Sequence, residues 1–365
     1  MLKKYKLRNY NFPLVITVAL LSIIGILMVG SAASSLQDRQ AIGVAGGMII
    51  MVIVSLIDYK LLLKFYRLIY LLGVALLGIL LIPGVGETTS GATRWIVIAG
   101  VQFQPSEVCK VIFIVFFAGF LMKYQEKINK PQMLLLWLIT AAVPLFLIFM
   151  EPNLSTTIIM ALIFIAMLFV GGLSYKIVIR LLALFIPLAI VLYVLIKNEM
   201  LPLFSYQYDR IFGENTYQQD NSVMAIGSCQ LWGKGLNNSS ITSLKNGDFI
   251  PEPQTDFIFA IVGEELGFVG CLTVIILLLL IILECILIAR RAQDLGGRLI
   301  CCGAASWIGF QGFVNIAVSI SILPNTGVPL PFVSYGLTSI ISLFIAIGMV
   351  LNVGLQGKKL KAGGE

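Results

Sequence analysis

Long apolar runs separated by short polar stretches fill most of the chain. The runs fall at 13–31, 41–57, 66–83, 106–122, 132–150, 154–172, 177–196, 265–289, 299–320 and 333–353. Each approaches the ~20 apolar residues that an α-helix needs to cross ~30 Å of hydrocarbon. The series of short alternating segments that a transmembrane β-barrel requires is missing. The pattern predicts an all-α polytopic membrane protein with about ten transmembrane helices, forming a single membrane domain over 1–365. Tails at 1–12 and 354–365 lie outside the runs. Two connecting stretches are long, 84–105 and 197–256, and the second is a large loop directly before the eighth helix. It holds Trp232, several Tyr and Phe, and a Gly-Lys-Gly turn at 233–235. Disordered loops are poorer in aromatic residues, so part of this loop is expected to pack back onto the membrane surface.

Composition agrees with the pattern. The 365 residues are 59% hydrophobic and 12% charged, with a mean hydropathy of +0.98. A soluble domain carries roughly a quarter of charged residues. The basic start and the apolar run to Gly30 resemble a signal peptide, but the run is long for one, and Ser31-Ala32-Ala33 is a weak cleavage site.

The cations are unevenly shared. Of the 25 Lys and Arg, 18 fall in one set of connections, among them Lys3, Lys60, Arg67, Lys123, Arg290 and Lys358. Six fall in the alternate set: Arg39, Arg94, Lys197, Arg210, Lys234 and Lys245. Lys110 lies inside a run. Cytoplasmic loops collect cations, so both termini are expected in the cytoplasm, and 84–105 and 197–256 on the outer side of the membrane. The net charge of +7 is then an inside bias, aided by anionic membrane lipids, and calls for no nucleic acid.

The absence of histidine excludes Ser-His nucleophiles and HExxH zinc chemistry. Proton transfer near neutral pH falls to Asp, Glu, Lys, Tyr or Cys. Five of the six cysteines sit in apolar runs as small hydrophobes, Cys229 lies in the large loop, and no CxxC spacing occurs.

The charged residues within apolar surroundings need a reason, since each costs ~2.5–3.5 kcal/mol at a bilayer centre. Glu107 and Lys110 are three apart on one helical face, and an internal ion pair competes with a substrate-facing role. Pro105 marks a helix start with Ser106 as its cap. Glu151, Pro152 and Asn153 form a tight turn. Arg94 beside Trp95 either snorkels or clamps a phosphate. Asp256 stands before the eighth helix, either as its N-cap or as a catalytic acid or base. Glu264 and Glu265 lie between Gly263 and Gly267, which points to close packing or a broken helix. Glu284 is expected to reach Arg290 or Arg291. The stretch LPNTGVPLPFVSYGLTS, 323–339, has three prolines and two glycines in apolar surroundings, so it cannot be a regular span. Irregular backbone at this depth needs a protein-lined or wet cavity, expected to be shared with Asp256.

The segments GATRWI (91–96), FQPSEVCK (103–110), EPNLST (151–156), AIGSCQLWGKGL (225–236), PEPQTDFIFAIVGEELGFVG (251–270) and PNTGVPLPFVSYGLTS (324–339) occur in one order between the spans. In this the chain resembles the SEDS family (shape, elongation, division and sporulation), the RodA/FtsW/SpoVE-type peptidoglycan polymerases. The resemblance implies an inverting glycosyltransferase that joins lipid II, a disaccharide-pentapeptide on undecaprenyl pyrophosphate, into β-1,4 glycan. It also implies a class B penicillin-binding protein as transpeptidase partner. The family's essential aspartate falls on Asp256, its Glu and Lys on Glu107 and Lys110, and its arginine on Arg94. The chain departs from the family pattern at Asn153, at Leu337-Thr338 and at Pro253-Gln254.

On that reading Asp256 is the base for the acceptor hydroxyl. Positive charge must stabilise the leaving pyrophosphate, and Arg94, Arg210, Lys234 and Lys110 are the candidates, with Glu107 and Ser334 beside the substrate. A bound Mg2+ or Mn2+ would share that task, though no ligand cluster identifies one. Two other classes remain: a lipid II flippase, with the buried acids and broken segments as its gate, and a noncatalytic scaffold for the partner.

Overall fold

The computed structural model describes residues 10–82, 84–89, 92–98, 101–177, 217–228, 230–237 and 253–357, with 179, 180, 183 and 194 singly. Its helices are α1 Phe12–Ala32, α2 Ser34–Leu56, α3 Tyr59–Lys64, α4 Tyr66–Leu80, α5 Pro105–Lys123, α6 Pro131–Met150, α7 Leu154–Val170, α8 Tyr217–Ser228, α9 Ile258–Arg291, α10 Leu295–Ser319 and α11 Leu337–Gln356. Among the described residues seven helices are long and apolar enough to cross a membrane, and Tyr66–Leu80 and Leu154–Val170 are shorter apolar helices. Nine of the predicted spans therefore have a helix at their place. The tenth, 177–196, lies mostly outside the described residues.

Local chemistry sets the helix starts. Asn11 accepts from the Leu14 amide at 3.0 Å, and Pro13 occupies the first turn of α1. Asp294 accepts from Gly297 at 2.8 Å to cap α10, and Asn153 accepts from Thr156 at 3.3 Å to cap α7. Pro at the first helical position costs nothing, because its missing N–H would have no helical partner there. That rule corrects the cap of α5: the helix begins at Pro105, Gln104 takes the cap position, and Ser106 is fully buried inside the first turn.

The bundle has a polar-poor interior and an apolar outside. The sides of α5, α10 and α11 are largely buried, and α11 packs along α2, α9 along α10 and α1, and α4 along α5. Phe117 stacks at 4.3 Å from Phe164 and 5.8 Å from Trp137 at the centre. Ile16, Leu20, Leu71, Phe146, Leu279 and Leu283 point outward, a surface suited to lipid rather than water.

The two ends of the bundle differ. At one end Tyr59 donates to Asp294 at 2.9 Å, Lys60 to Gln293 at 3.0 Å and Gln356 to Asp58 at 2.9 Å. Lys64, Arg67, Lys123, Lys127, Arg290, Arg291 and Arg298 lie at the helix termini of this same end. Glu284 here accepts from Asn11 at 2.8 Å, not from the arginines expected for it, because α1 packs antiparallel along α9. The opposite end carries the turns at 151–153 and 253–257 and the segment 320–336.

The first long connection is not a loop. It folds as a three-stranded antiparallel sheet, β1 Glu87–Thr89, β2 Ala92–Ile98 and β3 Val101–Phe103, in the order β1-β2-β3. Thr93 pairs with Thr88, and Val97 with Gln102. The sheet is tied to the bundle by Thr338, which donates to the Gln102 carbonyl at 3.2 Å.

Candidate functional site

The site is organised by the irregular segment between α10 and α11. Its backbone turns back at 320–336 with Phe332 at a φ of 64°, and its 328–334 part is mostly buried inside protein. The turn 253–257, which bears Asp256, is laid against it. Three successive carbonyls of that turn are held. The Tyr335 amide donates to Gln254 at 2.9 Å. Ser334 Oγ donates to Thr255 at 2.6 Å, and itself accepts from the Leu330 amide at 2.7 Å. Asn315 Nδ2 donates to Asp256 at 2.8 Å. Asp256 is itself partly exposed, at the end of the bundle opposite the cation-rich one.

Asp256 does not occupy the cap position expected for it. The helix α9 starts at Ile258, seven residues before the predicted span, and Phe257 stands at its cap without a side-chain bond to the helix. The two acids Glu264 and Glu265 are 1% exposed yet inside this helix, because distant segments meet them. Lys234 Nζ lies 2.9 Å from Glu264 Oε1, and Ser31 donates to Glu265. Gly267 then breaks the helix with φ 66° and ψ −160°. Into that break the segment 230–237 inserts its backbone: Lys234 donates to the Glu264 carbonyl at 2.9 Å, Gly235 to Glu265 at 3.0 Å, and Phe268 to Gln230 at 3.0 Å. A Cβ on Gly267 would meet Gly233 N at 2.4 Å, so only glycine permits this approach.

The described parts of the large loop, 230–237 and α8, pack against the helix bundle. Gln219 of α8 donates to the Leu323 carbonyl at 2.9 Å, and Ser222 to Ser319 at 2.7 Å. The first bond brings the loop to the segment that holds Asp256, and the second to the end of α10 beside it.

Arg94, on β2, points its guanidinium at the α6–α7 turn. Nε donates to the Glu151 carbonyl at 3.4 Å, and Nη2 to that of Pro152. Beyond the turn, Ser155 donates to Thr326 at 2.5 Å, so Arg94 and Asp256 flank one irregular segment. Glu151 is 2% exposed, and neither of its oxygens has a hydrogen-bond partner among the described residues. Burial pushes its carboxyl up to about 8, against the downward pull of the Arg94 charge.

Lys110 and Glu107 are brought together behind the site, not into it. They form a 2.6 Å pair with 1% and 2% exposure. Lys110 also donates to Gln311 Oε1 at 2.7 Å and lies 4.8 Å from the Trp307 ring centre. Ser334 is 3% exposed. All three are buried in this structure: Lys110 lies against Gln311 and Trp307 of α10, and Ser334 bonds the Leu330 amide and the Thr255 carbonyl. Arg210 lies outside the described residues. No group of three or more His, Cys, Asp or Glu that would hold a metal ion occurs among the described residues. The expected divalent cation therefore finds no ligand set among them.

Sequence reasoning missed Asn315 and Gln311. Their i, i+4 spacing in an otherwise apolar helix is the signal that marks them.

Residues 6–359 match the family model described as Cell cycle protein, which covers FtsW, RodA and SpoVE. The probable peptidoglycan glycosyltransferase FtsW of Nitrosomonas europaea is 32% identical over 96% of this chain and 94% of its own. Stage V sporulation protein E of Bacillus subtilis is 33% identical over 93% and 95%. Among solved structures, one describing coordinated polymerization and crosslinking by a peptidoglycan synthase complex superposes with a TM-score of 0.78 at 26% identity, covering 94% of this chain and 97% of that one. The rod shape determining protein RodA of Thermus thermophilus superposes with a TM-score of 0.70 at 25% identity, covering 94% and 96%. Shared along nearly its whole length, these similarities establish that the chain belongs to the FtsW/RodA/SpoVE family of cell cycle proteins.

Proposed function

We propose that this protein is a peptidoglycan glycosyltransferase of the bacterial plasma membrane, which joins lipid II into β-1,4 glycan with Asp256 as the base. Family membership and the names of the relatives support the activity. The observation that carries the role of Asp256 is the triple hold on the carbonyls of residues 254, 255 and 256. A partly exposed carboxylate on so fixed a backbone has the preorganisation that a general base needs.

In the proposed step the 4-hydroxyl oxygen of the acceptor GlcNAc attacks C1 of the donor MurNAc from the face opposite its α-linked pyrophosphate. The new C1–O bond forms as the old one breaks, which inverts the anomeric centre. Asp256 takes the hydroxyl proton, and undecaprenyl pyrophosphate leaves with the bonding electrons. A positioned base contributes ~10²–10⁴ in rate. The leaving group is a weak base and needs positive charge more than a proton. Arg94 and Lys234 supply that charge at this end of the bundle, with Arg210 in the same large loop. Lys110 contributes only by holding Glu107 and Gln311. No step is assigned to a divalent cation.

The uneven cations support cytoplasmic termini and an outward-facing site, within one domain of ten spans that includes 177–196. Similarity to a peptidoglycan synthase complex supports a class B penicillin-binding protein as partner. The test is purified full-length protein with lipid II. Glycan polymer is the expected product. Transbilayer movement of lipid II without any new sugar bond would instead make the protein a transporter.

A further inference from the structure

Asn315 lies one turn beyond Gln311 on the inner face of α10; its carboxamide meets the catalytic turn, while that of Gln311 meets the neighbouring Pro329 carbonyl. Asn315 is 1% exposed. Its Nδ2 donates to the carbonyls of Asp256 at 2.8 Å and Val328 at 2.7 Å. An amide nitrogen has two hydrogens, and here both are used on two carbonyls from segments far apart in sequence. The opposite amide orientation would set an oxygen against both carbonyls, so the bonds themselves fix it. Gln311 repeats the arrangement below. Its Nε2 donates to Pro329 at 3.0 Å, while its Oε1 accepts from Lys110 at 2.7 Å and from Trp307 at 2.7 Å. Lys110 is in turn fixed by Glu107 at 2.6 Å. Above, Ser319 donates to the Asn315 carbonyl at 3.0 Å, and Ser222 of α8 to Ser319. Residues 307, 311, 315 and 319 thus form one polar rail, four apart, from the buried ion pair to the catalytic turn.

We propose that Asn315 is a positioning residue for glycosyl transfer: its carboxamide clamps the Asp256 main chain to Val328, with Gln311 and the Glu107–Lys110 pair setting the rail on which it sits. This rests on the reading of Asp256 as the base. Asn315 touches no substrate. It fixes the height and direction from which the carboxylate leaves the turn, and a displacement of ~1 Å at a reacting group costs about 10²-fold in rate. Such a residue acts on turnover and leaves substrate capture alone.

The experiment uses full-length protein in liposomes with lipid II, and compares wild type with Asn315→Ala, Asn315→Ser and Asp256→Asn. The predicted result for Asn315→Ala is a kcat lower by about 10²-fold with KM within about two-fold of wild type. Asn315→Ser keeps one donor, packs more conservatively, and is predicted to fall between the two. If Asn315→Ala does not fold, the serine variant alone decides, by the same split between kcat and KM. Normal kcat in a folded variant, or a loss confined to KM, overturns the inference while Asp256→Asn remains inactive. Polymerisation by Asp256→Asn overturns the reading of the base, and the positioning role with it.

Discussion

Ser334 Oγ donates a 2.6 Å hydrogen bond to the carbonyl of Thr255, the residue before Asp256. The same oxygen accepts from the Leu330 amide, so one hydroxyl closes the irregular segment and fastens it to the catalytic turn. Buried groups left without partners cost about 1–3 kcal/mol each. Ser334→Ala strands a carbonyl and an amide at once. It should lower the thermal stability of the purified protein and cut polymerisation by roughly ten-fold or more, read from melting in detergent and from glycan yield.

The backbone interlock at Gly267 predicts a second effect. With φ at 66° and ψ at −160°, only glycine is unstrained there, and an added Cβ would collide with Gly233 N. Strain of this kind costs ~1–3 kcal/mol before the collision is counted. Gly267→Ala should release 230–237 from α9, and limited proteolysis should cut that segment faster than in wild type.

Breaking the Glu107–Lys110 pair should be worse than removing it. Lys110→Met alone leaves a carboxylate at 2% exposure without its cation, a loss of about 3–5 kcal/mol for a buried pair. Combining it with Glu107→Leu should restore much of that stability in a double-mutant cycle. The activity should stay low, since Gln311 loses the donor that orients it.

Glu151 gives a pH dependence with a definite sign. Its folded carboxyl is pushed up to about 8, from the ordinary 4.5, by burial. Between those values the folded protein holds a proton that the unfolded chain has released. The stability it contributes is therefore fully present below pH ~4.5 and is lost as pH rises through ~8. Melting temperature should fall as pH rises from about 5 to about 8 in wild type, and the fall should be shallower in Glu151→Gln.

How far the sequence foretold this molecule depends on the range of the interactions. The spans were legible because hydropathy over ~20 residues is a local property. The sheet over 87–103 was not, since its strands of three to seven residues lie in mixed polar and apolar sequence. The predicted eighth span begins at 265, whereas α9 begins at Ile258 and carries both Glu264 and Glu265 inside it. They are tolerated because Lys234 and Ser31 reach them, thirty and more than two hundred positions away. Asp256, Arg94 and the Glu107–Lys110 pair were singled out by charge in apolar surroundings. Their division into a partly exposed carboxylate and a sealed pair was not visible, because the turn that bears Asp256 is held by Ser334 and Asn315, 79 and 59 positions from the carbonyls they bond.

Asp256→Asn tests the proposed base most directly. The variant is nearly isosteric and keeps the carbonyl that Asn315 holds. Purified at full length and given lipid II, it should melt within a few degrees of wild type and form at least about 10²-fold less glycan. Polymer at close to the wild-type rate would contradict the assignment of Asp256 as the group that activates the acceptor hydroxyl.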